Sequence, residues 1–339
     1  MEVNIIQLGA KGDGKQREVC LMDKVKVALI GAGSMANAVH YPSLVEFEDV
    51  EIVGLCDLIE EKLKKTAERF HIENTFKDYK EMIEKTNPDA VYILMPPHHL
   101  FDIVIHCLNQ KLHVFIEKPP GVTREQTRQM ALTAERNDCL TMVGFQRRFA
   151  PLITACKREM DNRGGITQAI ATFVKNYNGG PYYDGAIDIL TCDAIHSVDI
   201  LRFLCGEPKK VVSDVRALDS NFDNSFNAFI KFENGSVGYL NTNWKAGKRI
   251  FSVEMHSIGI SAFVDPEVEA RIYRDNNETP EVLRAKEYAG SDAFYKIAGF
   301  YQENRHFIDC IKEKKQPLTN FSDAYKTMEL VDRIYHSQI

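Results

Sequence analysis

Residues 24–36, K-V-K-V-A-L-I-G-A-G-S-M-A, constrain the fold of this chain more than any other stretch. Val25, Val27, Leu29 and Ile30 form an apolar run with the length and β-branched content of a strand buried in a parallel sheet. The run stops at Gly31-Ala32-Gly33-Ser34-Met35-Ala36, a G-x-G-x-x-A turn. The first glycine allows a tight turn and the second lets a pyrophosphate approach the backbone. The small third residue, Ala36, lets the next helix lie close on the strand. A phosphate held at Gly31, Gly33, Ser34 and Met35 meets free N–H groups and the positive end of a helix dipole.

Glycine-rich strand ends are common, so the turn needs a partner. A second apolar strand, residues 50–56, ends in Asp57, whose carboxylate is placed to accept both ribose hydroxyls of an adenosine. A surface aspartate that only ends a strand is the alternative. Leu58-Ile59-Glu60-Glu61 follow, with no arginine to receive a 2′-phosphate. NAD is therefore expected over NADP, with Lys62 the one nearby cation.

At 339 residues the chain is longer than one core usually organises, and two domains are expected, 23–148 and 149–339. Residues 1–22 read as an N-terminal extension of unknown role, an upstream start or a cloning remnant. Apolar residues make up 44% and charged ones 27%, as in ordinary globular proteins. A net charge of −6 without a basic run argues against nucleic acid, and no apolar stretch is long enough to span a membrane. The eight cysteines are scattered without C-x-x-C, and several sit in apolar patterns as small core residues. With no apolar signal segment, a cytoplasmic location is expected.

From 24 to 145, strands alternate with helical stretches (34–47, broken near His40-Tyr41-Pro42, then 60–70, 79–85, 100–110 and 124–137), which predicts a doubly wound parallel sheet. The strand at 90–95 ends in Pro96-Pro97-His98-His99. Pro96 is expected to wall the cofactor, and His99 to cap the next helix or touch the nicotinamide side. The strand at 113–116 ends in Glu117-Lys118-Pro119-Pro120-Gly121. A lysine at a strand end on the ligand edge is a costly charge unless it is used, and Glu117 is expected to neutralise it. The strand at 139–145 ends in Gln146-Arg147-Arg148-Phe149, where Gln146 and Arg147 would bind cofactor or the far side of a substrate, or Arg147 would bridge to the second domain.

Beyond residue 164, strands follow one another at 166–176, 209–218, 225–233, 236–244, 250–257 and 260–264, with helices at 191–205, 294–313 and 322–337. Asn234-Gly235 is a hairpin signal. An α+β domain with an open, mainly antiparallel sheet results. Phe229, Val237 and Tyr239 lie on its second face, so a homodimer or homotetramer joined there is expected. In the 191–205 helix, Ala194, Val198, Leu201 and Cys205 fall on one core stripe at about 100° per residue. His196 points away from it, with Cys192 near and Asp193 a little further round. A surface His–Asp pair is the bland alternative. No metal site is expected, since further ligands at helical spacing are missing.

The glycine turn, Asp57, E-K-P at 117–119, R-R-F-x-P at 147–151 and D-A-I-H-S-V-D-I-L-R at 193–202 together resemble the glucose–fructose oxidoreductase / inositol dehydrogenase / rhizopine-catabolism (Gfo/Idh/MocA) family. The resemblance runs through nearly everything after Met22. It implies a Rossmann domain followed by an open-sheet α/β domain, and NAD-dependent oxidation or reduction at a sugar or polyol carbon. It also implies catalytic roles for Lys118, His196 and Asp193, with Glu117 and Lys118 beside the cofactor. His196 would take the hydroxyl proton, Lys118 would hydrogen-bond the same oxygen, and Asp193 would orient the imidazole or bind a neighbouring hydroxyl. The family often carries Asp four residues before this histidine; here that place is Cys192. Two other readings stand beside this one: a non-catalytic NAD(H)-binding regulator, and an enzyme that recycles bound NAD in a net non-redox sugar reaction.

Overall fold

The computed structural model describes residues 24–339; the expected extension at 1–22 and Cys20 lie outside the described residues. Six parallel strands, β1 (Val25–Ile30), β2 (Val50–Cys56), β3 (Thr75–Phe76), β4 (Ala90–Ile93), β5 (His113–Glu117) and β6 (Thr141–Gly144), form one sheet in the order β3-β2-β1-β4-β5-β6. Their apolar runs are buried on both faces because helices cover both sides. These are α1 (Tyr41–Val45), α2 (Glu60–Phe70), α3 (Tyr79–Thr86), α4 (Phe101–Asn109) and α5 (Arg124–Arg136). The break expected near His40 is a π-helical turn, Ala36–His40, which passes into α1 with Pro42 in its first turn. In the register, Ile30 lies level with Cys56 and with Ile93, so the glycine turn, Asp57 and the end of β4 emerge on one edge. The strand order reverses at β1/β4, which is where open α/β sheets take ligands.

The second half begins with α6 (Pro151–Asp161), β7 (Gln168–Asn176) and α7 (Ile195–Cys205), and then β8 (Pro208–Arg216), β9 (Ser225–Phe232), β10 (Val237–Asn243), β11 (Lys245–Ser257), β12 (Ile260–Asp265), β13 (Glu269–Arg274) and β14 (Glu281–Arg284). The eight strands run β14-β13-β12-β11-β7-β10-β9-β8, antiparallel except for the parallel pair β7–β10. Sequence pattern missed α6, β13 and the edge strand β14. The strands carry charges on their outer face (Glu269, Arg271, Arg284), and Ala270, Ile272 and Leu283 mark the inner one, which Glu281 interrupts at its end. The inward row Ala169, Ala171 and Phe173 of β7 packs on α7. That helix is not amphipathic as expected: every residue from Ile195 to Cys205 is buried except Phe203, which is half-buried.

After α8 (Ala285–Ala289) and α9 (Phe294–Ile297), the chain returns to the first sheet. In α10 (Phe300–Glu313), Phe307 and Ile308 enter the core with Leu29, Tyr92 and Phe115. The last helix, α11 (Phe321–His336), packs on α5, α7 and β8. A cut at 148/149 therefore does not separate two self-sufficient cores: the first sheet is completed by residues beyond 300. Arg305 and Lys312 of α10 clasp Asp49 at 2.7 and 2.6 Å.

Burial alone would raise the Asp49 carboxyl, but hydrogen bonds and charge from Arg305 and Lys312 outweigh it and bring its pKa down to about 2. A folded pKa below the unfolded one stabilises the fold above about pH 4 and ceases to as pH falls toward 2. Asp49→Asn is expected to cost on the order of 1–2 kcal/mol at pH 7. In urea melts the gap to the parent should narrow at pH 3; an unchanged gap would assign the loss to packing instead.

Candidate active site

The cofactor edge is built from the ends of β1 and β2. Gly31 sits at φ +112°, and a Cβ there would lie 2.3 Å from the Leu94 carbonyl oxygen, so the turn demands glycine. Gly33 is different: an added Cβ would meet nothing within 4 Å, which leaves open space over the backbone. The helical segment starts at Ser34, immediately after that gap, with the unpaired first N–H groups of any helix start. Asp57 is half-buried and braces the turn, its Oδ2 accepting the Ala32 N–H and its Oδ1 the Ile59 N–H, each at 2.8 Å. Gly33, Ser34, Met35 and Asp57 thus fit a dinucleotide: open backbone for the pyrophosphate and a carboxylate beside it.

Pro96 is exposed at the end of β4. His99 is exposed too, its ring 3.9 Å from that of His98, which in turn approaches Tyr183. The expected cap by His99 is not made; Leu100 occupies the start of α4 without a side-chain hydrogen bond.

At the end of β5 the two charges part company. The Lys118 ammonium donates to the Cys192 carbonyl at 3.1 Å and lies 3.8 Å from Asp193 Oδ1. Glu117 does not neutralise it, contrary to the expectation from adjacency. Its Oε1 is 2.8 Å from His40 Nε2 and its Oε2 accepts the Lys118 backbone N–H. Successive strand residues point to opposite faces, so a neighbouring carboxylate is poorly placed for the next side chain. Behind Glu117, Glu303 is fully buried with neither oxygen hydrogen-bonded, and one donor atom each from His40, Glu117 and Glu303 falls within 4.8 Å of the others. Burial, then the Glu117 charge, pushes the Glu303 carboxyl well above the usual carboxylate range.

Asp193 does not orient the imidazole. Its Oδ2 accepts the Tyr182 hydroxyl at 2.8 Å and pairs with the Lys175 ammonium. The spacing argument assumed a regular α-helix, whereas Leu190–Ala194 form a π-helical turn leading into α7. His196 is 6% exposed, and its Nδ1 has no partner. Burial, then the charges of Lys118, Arg147, Lys175 and Arg249, holds its pKa well below the usual histidine range. It is therefore neutral at pH 7, the form that accepts a proton.

Arg147 forms the bridge to the second half of the chain: its Nη2 donates to Glu267 Oε1 at 2.7 Å and its guanidinium lies 4.4 Å from the Phe251 ring centre. Nε and Nη1 are buried without partners, as is Gln146 Oε1. None of these contacts reaches the glycine turn. Sequence reasoning missed Lys175 and Tyr182. Lys175 did leave a signal, since it continues the inward alternation Ala169, Ala171, Phe173 with a charge.

The two glycines separate folding from binding. Gly31→Ala is expected to cost roughly 2–4 kcal/mol in a urea melt through the clash with Leu94. Gly33→Ala should change stability by less than about 0.5 kcal/mol, yet weaken NAD binding at least about tenfold in calorimetry. Unimpaired NAD binding by Gly33→Ala would remove the pyrophosphate from this turn.

Residues 25–145 match the oxidoreductase family with an NAD-binding Rossmann fold, Gfo/Idh/MocA, and residues 184–257 match the Gfo/Idh/MocA C-terminal domain. The chain is 26% identical to the D-glucoside 3-dehydrogenase of Escherichia coli K12, over 92% of this chain and 95% of that one. It is 24% identical to the myo-inositol 2-dehydrogenase of Thermotoga maritima, over 88% and 92%. Among solved structures, a levoglucosan dehydrogenase in complex with NADH and levoglucosan superposes with a TM-score of 0.81 at 20% identity, covering 93% of this chain and 97% of that one. The two matched domains, in this order and on this fold, make the chain a member of the Gfo/Idh/MocA family of NAD-binding oxidoreductases.

Proposed function

We propose that this enzyme moves hydride between NAD and a carbinol carbon of a sugar, polyol or sugar derivative, with Lys118 and His196 serving the reacting oxygen. The observation that carries the reading is where Lys118 ends: its ammonium leaves the ligand edge of the first sheet and lands on Cys192 and Asp193, one turn before His196. Bound NAD supplies the hydride acceptor or donor. His196, buried and neutral, takes the proton from the substrate hydroxyl. Lys118 donates a hydrogen bond to the same oxygen and stabilises its charge as it develops. Asp193, shared among Lys118, Lys175 and Tyr182, is read as the positioning group for Lys118. Asp57, with no arginine after it, supports NAD over NADP.

General acid–base assistance is worth about 10²–10⁴ in rate. Lys118→Ala and His196→Ala are each expected to lower kcat by that order, scored as NADH formed from a panel of sugars and polyols, with NAD⁺ outperforming NADP⁺ and cofactor affinity little changed. The double variant should lose less than the product, because both groups act on one oxygen. Intact turnover in His196→Ala would end the relay and favour a regulator that binds NAD(H) without chemistry.

The outer face of the second sheet supports assembly of copies through it. Phe229 and Tyr239, paired across β9 and β10 with ring centres 5.5 Å apart, are 39% and 37% exposed, and Phe263 on the same face is 43% exposed. Sedimentation should give a dimer or tetramer at micromolar concentration; a monomer alone rules it out.

A further inference from the structure

The region around His196 holds more positive charge than its own carboxylates balance. Asp193 serves both Lys118 and Lys175, and Glu267 serves both Arg147 and Arg249. The two groups are contiguous. Lys175 and Arg249 both lie over the Phe173 ring, at 4.8 and 5.6 Å from its centre. Arg147 lies over Phe251, whose ring centre is 5.2 Å from that of Phe173. The next carboxylate toward Arg147, Asp265, is exposed and holds the Glu267 amide. Four cations therefore face two committed carboxylates.

Such an excess is expensive in a partly buried site, where charges are poorly screened and burial penalises each ion. Arg147 shows the shortage directly: it is 4% exposed, with two of its three nitrogens lacking an acceptor. One developing alkoxide accounts for Lys118 but not for Lys175, Arg147 and Arg249. The cofactor's phosphates do not supply the missing charge either, since the glycine turn ends β1, two strands away from β5.

We propose that the substrate is an anionic sugar, carrying a carboxylate or phosphate that Lys175 and Arg249 receive while its carbinol faces Lys118 and His196. This rests on the oxidoreductase reading above and narrows its substrate class. Arg249 is the group to test, because it is half-exposed on β11 and makes no hydrogen bond or ion pair with Lys118 or His196.

The experiment is calorimetric titration of the NADH-loaded protein with matched sets: D-glucose, D-glucuronate and D-glucose 6-phosphate, and the same three in the galactose and mannose series. In at least one series an anionic member should bind about tenfold or more tighter than its neutral parent. The preference between uronate and phosphate then identifies the anion. Arg249→Ala should erase most of that gain and leave neutral binding unchanged. If no anionic sugar binds tighter than its neutral parent, or if Arg249→Ala weakens both alike, the inference falls. NADH formation from NAD⁺ is scored separately: an anionic sugar that binds but is never oxidised upholds the charge match and refutes hydride transfer, and a neutral sugar preferred and oxidised does the reverse.

Discussion

Arg148 and Asp199 form a nearly dry ion pair, 3% and 2% exposed, with Arg148 Nε 2.7 Å from Asp199 Oδ2. Asp323 of α11 adds a second carboxylate to the same guanidinium, and the Thr327 hydroxyl donates to Asp199. One knot thereby joins the end of β6, the middle of α7 and the start of α11. Buried pairs of this kind add little net stability over an apolar core, but losing one partner strands a charge. Their effect is to allow one arrangement, because each oxygen has one set of donors within reach. The angle at which α7 meets the first sheet follows from it, and so does the distance from the β5 end to Cys192 and His196.

Within the cleft, the same logic works with charges instead of register. Each carboxylate is divided between two cations, so none of the four has a carboxylate to itself. The imidazole at the centre is kept neutral by its dry surroundings and by repulsion from those cations. Behind Glu117, burial and then a neighbouring carboxylate push the Glu303 carboxyl well up.

Much of this was legible in the sequence because it depends on short-range chemistry. Gly31 is forced by a single backbone conformation, Asp57 by its place at a strand end, and the first sheet by apolar runs that few other folds can bury. Lys118 was legible as a charge in an expensive position, and His196 as a histidine pointing off the core stripe of its helix. What escaped reading depends on groups far apart in the chain or on departures from ideal geometry. The π-helical turn at Leu190–Ala194 moved Asp193 off His196 and onto Lys175, which angular counting cannot foresee. Glu117 turned to His40 across 77 positions of sequence. Strands β13 and β14, at one end of the second sheet, are masked by their charged residues, and α7 is swallowed whole because the sheet and α11 cover it from different sides.

The return of α10 to the first sheet also has a meaning for how the protein is made. Leu29, Tyr92 and Phe115 are completed by Phe307 and Ile308, which are synthesised long after β6 has finished the sheet. At ordinary elongation rates the nascent parallel sheet waits roughly ten to thirty seconds with that apolar face uncovered. The knot at Arg148 waits as well, since Asp323 and Thr327 come later still. During that interval the exposed apolar face is the surface on which a nascent chain aggregates or meets a chaperone, and the site takes its final shape only once α11 has docked.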